Sequence, residues 1–193
     1  MATCIPKITG DLLFDCDNRD LQGIETKVIL INRDDIDFGA TTIAGKIVTN
    51  LQLKSGTSGF ELQGVKQLNR FLSEVVPNAE GLNKWRHSFV GRIFNLTATT
   101  RSQIDLIADG ANIVAVVERK WKGDSQEHGF LILGLGTGLE ISEGSENSAE
   151  NDGSFVFTLA SSDLSLEGEG PKILLETDYA TTKTAVDAKF AKA

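Results

Sequence analysis

Asn112-Ile-Val-Ala-Val-Val-Glu-Arg-Lys-Trp121 is the stretch on which the fold turns. Its nearly continuous apolar run is rich in β-branched residues and reads as a strong strand. It is also far too short to span a bilayer, as is Phe130-Leu-Ile-Leu133. Downstream, Phe130–Leu133 and Leu139-Glu-Ile141 flank Gly134-Leu-Gly-Thr-Gly138 and predict a hairpin. Upstream, Thr100-Arg-Ser-Gln-Ile-Asp-Leu-Ile-Ala-Asp-Gly110 carries the best helix signal. Thr100 can cap the free amides, Gln103 takes the capping-box position, and Gly110 suits the stop.

The same reading extends to both ends of the chain. Lys27-Val-Ile-Leu-Ile-Asn32 is the first clear strand, and residues 1–26 read as an extended or irregular segment. Ile47, Thr49, Leu51 and Leu53 alternate with Val48, Asn50, Gln52 and Lys54, Ser55-Gly-Thr-Ser-Gly59 is a turn cluster, and Phe60, Leu62 and Gly64 share a face. Together they predict a second hairpin. Residues 77–84 read as a loop and His87 to Leu96 as strand. Residues 143–153 form an acidic loop ending in an Asp-Gly turn, followed by the alternating strand Ser154-Phe-Val-Phe-Thr-Leu159. A second acidic loop, residues 161–171, leads to Lys172-Ile-Leu-Leu-Glu176. Asp178 can cap a closing helix from about Ala180 to Lys192, docked through Ala185, Val186 and Phe190.

These elements predict a mainly β chain: an antiparallel sandwich or barrel-like sheet with one flanking helix and a short C-terminal helix. At 193 residues it is one domain, with an extended N-terminal segment and a C-terminal arm from about residue 178. Nineteen glycines against three prolines suit tight turns better than a disordered tail. The start lacks a basic segment followed by an apolar core, so no signal peptide is expected, and folding in a cytoplasm is.

Charge is unevenly placed. Residues 140–178 hold ten acids and one base, Lys172, whereas the rest of the chain holds 17 acids and 18 bases. A near-neutral body thus carries one acidic region, which repels phosphate rather than gripping nucleic acid.

No catalytic or cofactor signature competes with a structural reading. Gly134-Leu-Gly-Thr-Gly138 is followed by strand rather than helix and lacks a Lys-Ser/Thr pair, so it reads as a tight turn and not a phosphate loop. His87 and His128 adjoin no nucleophile and read as surface or loop histidines. Asp34, Asp35 and Asp37 lack the closing Glu of a calcium loop and read as a solvated loop. Cys4 and Cys16 read as reduced thiols, with one disulfide the alternative and no metal expected. Arg119-Lys-Trp-Lys122 reads as a solvated strand end, with single-strand binding or pairing to a neighbour's acids as alternatives.

Five phrases carry a family resemblance: Met1-Ala-Thr-Cys-Ile-Pro-Lys-Ile-Thr-Gly-Asp11, Val114-Ala-Val-Val-Glu-Arg-Lys-Trp-Lys-Gly123, Phe130-Leu-Ile-Leu-Gly-Leu135, Glu150-Asn-Asp-Gly153 and Thr177-Asp-Tyr-Ala-Thr-Thr-Lys-Thr184. With the element order, they resemble the tail tube (major tail) proteins of long-tailed bacteriophages, of the kind found in phages and prophages of Bacteroides-like hosts. The resemblance implies a structural, non-enzymatic subunit without cofactor or metal, resident in the virion tail. Copies would form rings of six that stack into a conduit for DNA, meeting other tail proteins but no membrane. Its lumen would be acidic, with Glu143, Glu146, Glu150, Asp152, Glu167 and Glu169 as candidates for the lining or for contacts between rings. Stacking would use a reaching segment, with Asp34, Asp35, Asp37, Ser55, Gly56 and Gly59 as candidates. The alternatives are another virion part (tail terminator, connector or capsid decoration protein) or a module binding a small ligand or glycan.

Overall fold

A computed structural model describes residues 7–13, 19, 21–65 and 68–189. Cys4, Cys16 and Phe190 lie outside the described residues. Strand outweighs helix, 39% to 14%, so the chain is mainly β.

The apolar run forms a strand, β7 (Ile113–Arg119), paired antiparallel with β1 (Ile24–Asn32) and β8 (Phe130–Leu133). β1 starts three residues before the expected Lys27. All three strands are apolar on both faces. Ile29, Ile31, Val114, Val116, Phe130 and Ile132 face one core. Val28, Leu30, Ala115, Val117, Leu131 and Leu133 face the other. A strand covered on both sides gains nothing from alternation, hence the continuous apolar run.

The other strands are β2 (Thr42–Ala44), β3 (Ile47–Asn50), β4 (Phe60–Gln63), β5 (Arg70–Val76), β6 (Lys84–Ile93), β9 (Glu140–Glu146), β10 (Phe155–Ala160) and β11 (Lys172–Leu174). They complete a seven-stranded sheet, β2-β3-β11-β8-β7-β1-β4, and a four-stranded sheet, β5-β6-β10-β9. The second core lies between the sheets, closed at one end by helix α1 (Ala98–Ala108). The first is covered by helix α2 (Tyr179–Lys189) and by residues 36–53, which bring Ile36, Leu51 and Leu53 across the sheet.

Several expectations are corrected. β3 and β11 run parallel, so the larger sheet is mixed rather than antiparallel. β3 and β4 do not form a hairpin, because β3 pairs with β2 and β11 whereas β4 pairs with β1 at the far edge. Val48 is buried instead of Ile47, since β3 stops at Asn50 and the alternation changes phase before Leu51. β8 and β9 belong to different sheets, so Gly134–Gly138 is a crossover and not a hairpin tip. Glu143 and Glu146 lie on β9 and not in a loop. The cap of α1 is Thr97, whose side chain accepts from the Thr100 amide. The Asp178 cap stands as expected, accepting from the Thr181 amide at 2.7 Å.

In the smaller sheet Phe157 pairs with Gly91 on one side and Gly144 on the other. A Cβ on Gly91 would lie 2.5 Å from the Phe157 ring, so glycine is what lets the ring meet Phe89 edge-on, centroids 6.2 Å apart. Phe157→Ala should lower the unfolding free energy by about 3–5 kcal/mol in urea titrations followed by tryptophan fluorescence. A loss under about 1 kcal/mol would mean that the two sheets do not share this core.

Candidate functional site

The acids divide into two groups within the chain. Glu143, Glu146, Glu150 and Asp152 belong to the β9–β10 hairpin, whose tip carries Asp152 at φ 50° and Gly153 at φ 69°. Glu146 takes two bonds from Arg101 of α1, at 2.8 and 2.9 Å, which hold its carboxyl below the usual range. Asp152 lies 3.5 Å from Arg92, and Glu150 accepts from Asn147 at 3.0 Å. Among the described residues Glu143 makes no ion pair. Glu167 and Glu169 lie elsewhere, in the loop before β11. Glu169 is held below its ordinary range by Lys172 and by Lys46, the latter at 2.6 Å. Glu167 is largely buried, at the wall of the groove that His87 borders.

What Glu167 does is grip the crossover turn. Its Oε1 accepts from the Thr137 amide at 2.9 Å and the Thr137 hydroxyl at 3.1 Å. The Gly134 amide donates to His87 Nδ1 at 3.1 Å, and Arg33 Nη2 donates to the Gly136 carbonyl at 2.5 Å. Gly138 (φ 86°) takes a left-handed conformation and has no room for a Cβ beside Asn112. The Gly134 and Thr137 amides are thus both committed to side chains of the same chain. Three side chains distant in sequence thus tie β8 to the end of β1, to β6 and to the loop before β11.

His87 is not a surface histidine: it is 3% exposed, on the inward face of β6 beside Phe89. Alternation through Phe89 and Gly91 was the signal that could have revealed it. Its Nδ1 is an acceptor, so the neutral ring carries its proton on Nε2, which faces the Glu169 carbonyl without a well-formed bond. Burial pushes its pKa down; the Glu167 carboxylate and Glu169 carbonyl oppose this, and Lys46 adds to it. His87 borders a half-open groove of about 380 Å³ whose other walls include Arg33, Phe38, Ile43, Leu135 and Lys172.

The stacking-loop candidates do come together. Asp34 and Asp35 form a single 3-10 turn with Arg33. Their carbonyls accept from Lys54, Asp34 from Nζ at 2.6 Å and Asp35 from the amide at 2.8 Å, just before the turn that carries Ser55, Gly56 and Gly59. Asp37 caps its own turn, accepting from the amides of Gly39 and Ala40. Among the described residues no cluster of three or more His, Cys, Asp or Glu is placed to hold a metal ion, and no helix is long and apolar enough to cross a membrane.

The basic stretch is largely engaged within the chain. Arg119 stacks on Trp121. Lys122 lies 3.0 Å from buried Glu118 and over the Tyr179 ring, 4.8 Å from its centroid. Burial works against the Lys122 charge, but Tyr179 and Glu118 raise its pKa to about 12. Burial likewise pushes the Glu118 carboxyl up, and donors from Lys183, Tyr179 and Lys122 outweigh it. This cluster fastens α2 to β7.

No family model, curated protein or solved structure matches this chain.

Because the folded state holds His87 below its ordinary value of about 6.5, acidification protonates the unfolded chain first, and stability falls as pH drops through that range. Thermal melts at pH 7.5 and 5.5 should show a smaller acid-induced drop for His87→Gln than for the unmodified chain. Equal drops would contradict a neutral, bonded imidazole.

Proposed function

We propose that this chain is a structural subunit of a phage tail tube, made in the host cytoplasm and resident in the virion tail. Copies join head to tail into rings of six, the rings stack, and the conduit passes DNA during ejection. The observation that supports this most is the pair of free edges on the four-stranded sheet. β5 and β9 are its two outer strands, and most of their residues are exposed. Every pairing inside that sheet is antiparallel, so β5 and β9 run in opposite directions. β5 of one copy set beside β9 of the next would continue the antiparallel pattern. Repeated around an axis, that contact closes a ring and removes edges that would otherwise invite aggregation.

Charge supports the same reading. On β6, Arg86 is paired with Asp163, and Arg92 is bonded to Ser154 at 2.5 Å and lies near Asp152. On β9, Glu140 and Glu143 have no ion-pair partner among the described residues. Arg70 on β5 and Lys84 on β6 offset them, so the strands of this sheet are near neutral, and it is residues 140–178 as a whole, ten acids against one base, that would let a duplex pass without adhering.

Sedimentation and negative-stain microscopy of the purified protein, alone and with other tail proteins, test this. Rings or tubes are expected. A strict monomer at high concentration that forms no tube with those partners would contradict it.

A further inference from the structure

The ring contact joins two edges, and the register inside the four-stranded sheet matches one to the other. Phe71 of β5 pairs with Phe89, Phe89 with Leu159, and Leu159 with Ile141 of β9. Phe89 and Leu159 are fully buried in the core between the sheets, whereas Phe71 and Ile141 pack against it only partly covered. An apolar row thus crosses the sheet and ends on a half-covered side chain at each edge. One residue along, Arg70 of β5 aligns through Val90 and Thr158 with Glu143 of β9. Alternation turns this row to the outer face. Arg70 and Glu143 are exposed, and neither has an ion-pair partner among the described residues. The row therefore offers a base at one edge and an acid at the other.

We propose that β5 of one copy pairs with β9 of the next in this register, with Arg70 facing Glu143 on the outer side and Phe71 meeting Ile141 beneath. Residues 68–72 of one copy then lie along residues 140–145 of the other. Competing alignments are each worse in charge or in packing. A shift of one residue puts the apolar rows of the two copies on opposite faces. A shift of two that lengthens the overlap sets Glu74 against Glu140, two acids. Pairing of β5 with a second β5 about Leu72 can set Arg70 against Glu74. Glu74 already lies across from Arg86, however, and Phe71 would then meet Ser73 in place of an apolar partner. The extra residue Ser142, where the β9 pairing shifts, adds the bend and twist that a sheet closing around an axis needs. This inference rests on the ring proposed above and adds the register and the charge pair that select its neighbours.

The test reverses the charges one at a time. Arg70→Glu and Glu143→Arg are made in the full chain, and association is measured by sedimentation at low salt. Each reversal by itself sets like charges across every contact and should weaken association roughly fivefold or more. An equal mixture of the two variants restores opposite charges at every contact of an alternating ring of six, so it should associate as the unmodified chain does. Both side chains are exposed, so the fold is kept, which circular dichroism checks. Loss with Arg70→Glu but not with Glu143→Arg would mark a twofold β5 contact and overturn the proposal, as would a mixture no better than its parts. Rings that form equally well with either reversal would overturn this register and leave the tube reading standing. Open chains that obey the mixing rule would keep the register and sink the ring.

Discussion

The three central strands, β1, β7 and β8, have apolar side chains on both faces, and the sheet they form must therefore be covered twice. That requirement organises the molecule. One face is covered by a second sheet, the other by a helix and an irregular segment that crosses it. The two covers behave differently. Helix α2 is anchored by a buried carboxylate with three donors, and removing one partner of such a cluster strands the others. The four-stranded sheet is held by Phe89, Phe157 and Leu159, which leaves its outer face and both its edges available.

The crossover at Gly134–Gly138 shows how the layers are kept in register. A glycine-rich turn has many conformations to lose on folding, and here Arg33, His87, Glu167 and Asn112 hold it in one. The arrangement gathers polar side chains into a protein interior, where each serves a backbone group.

Local patterns in the sequence carried the elements further than the pairings. The apolar runs of β7 and β8, the Phe155–Phe157–Leu159 alternation and the Asp178 cap depend on neighbours a few residues away, and they were legible. Strand β5 was missed because an edge strand keeps apolar residues such as Leu72 and Val75 exposed, which blurs its alternation. The two expected hairpins failed because a turn signal does not say whether the chain returns to the same sheet. The β3–β11 pairing joins residues more than a hundred apart in sequence, and no local signal announces it. At the candidate site, the acidic region was visible as composition. That Glu146 is paired and Glu167 buried depends on Arg101 and the crossover, neither of them adjacent, and Glu169 joins distant Lys46 to its near neighbour Lys172.

In the assembly we propose, the unpaired backbone edges of β5 and β9 would find partners in neighbouring copies. Amide hydrogen exchange, compared between dissociated and assembled protein, measures this directly. The account predicts that β1, β7 and β8 exchange slowly in both states, whereas β5 and β9 exchange fast when dissociated and slow on assembly. Equal exchange of β5 and β9 in every state would contradict it.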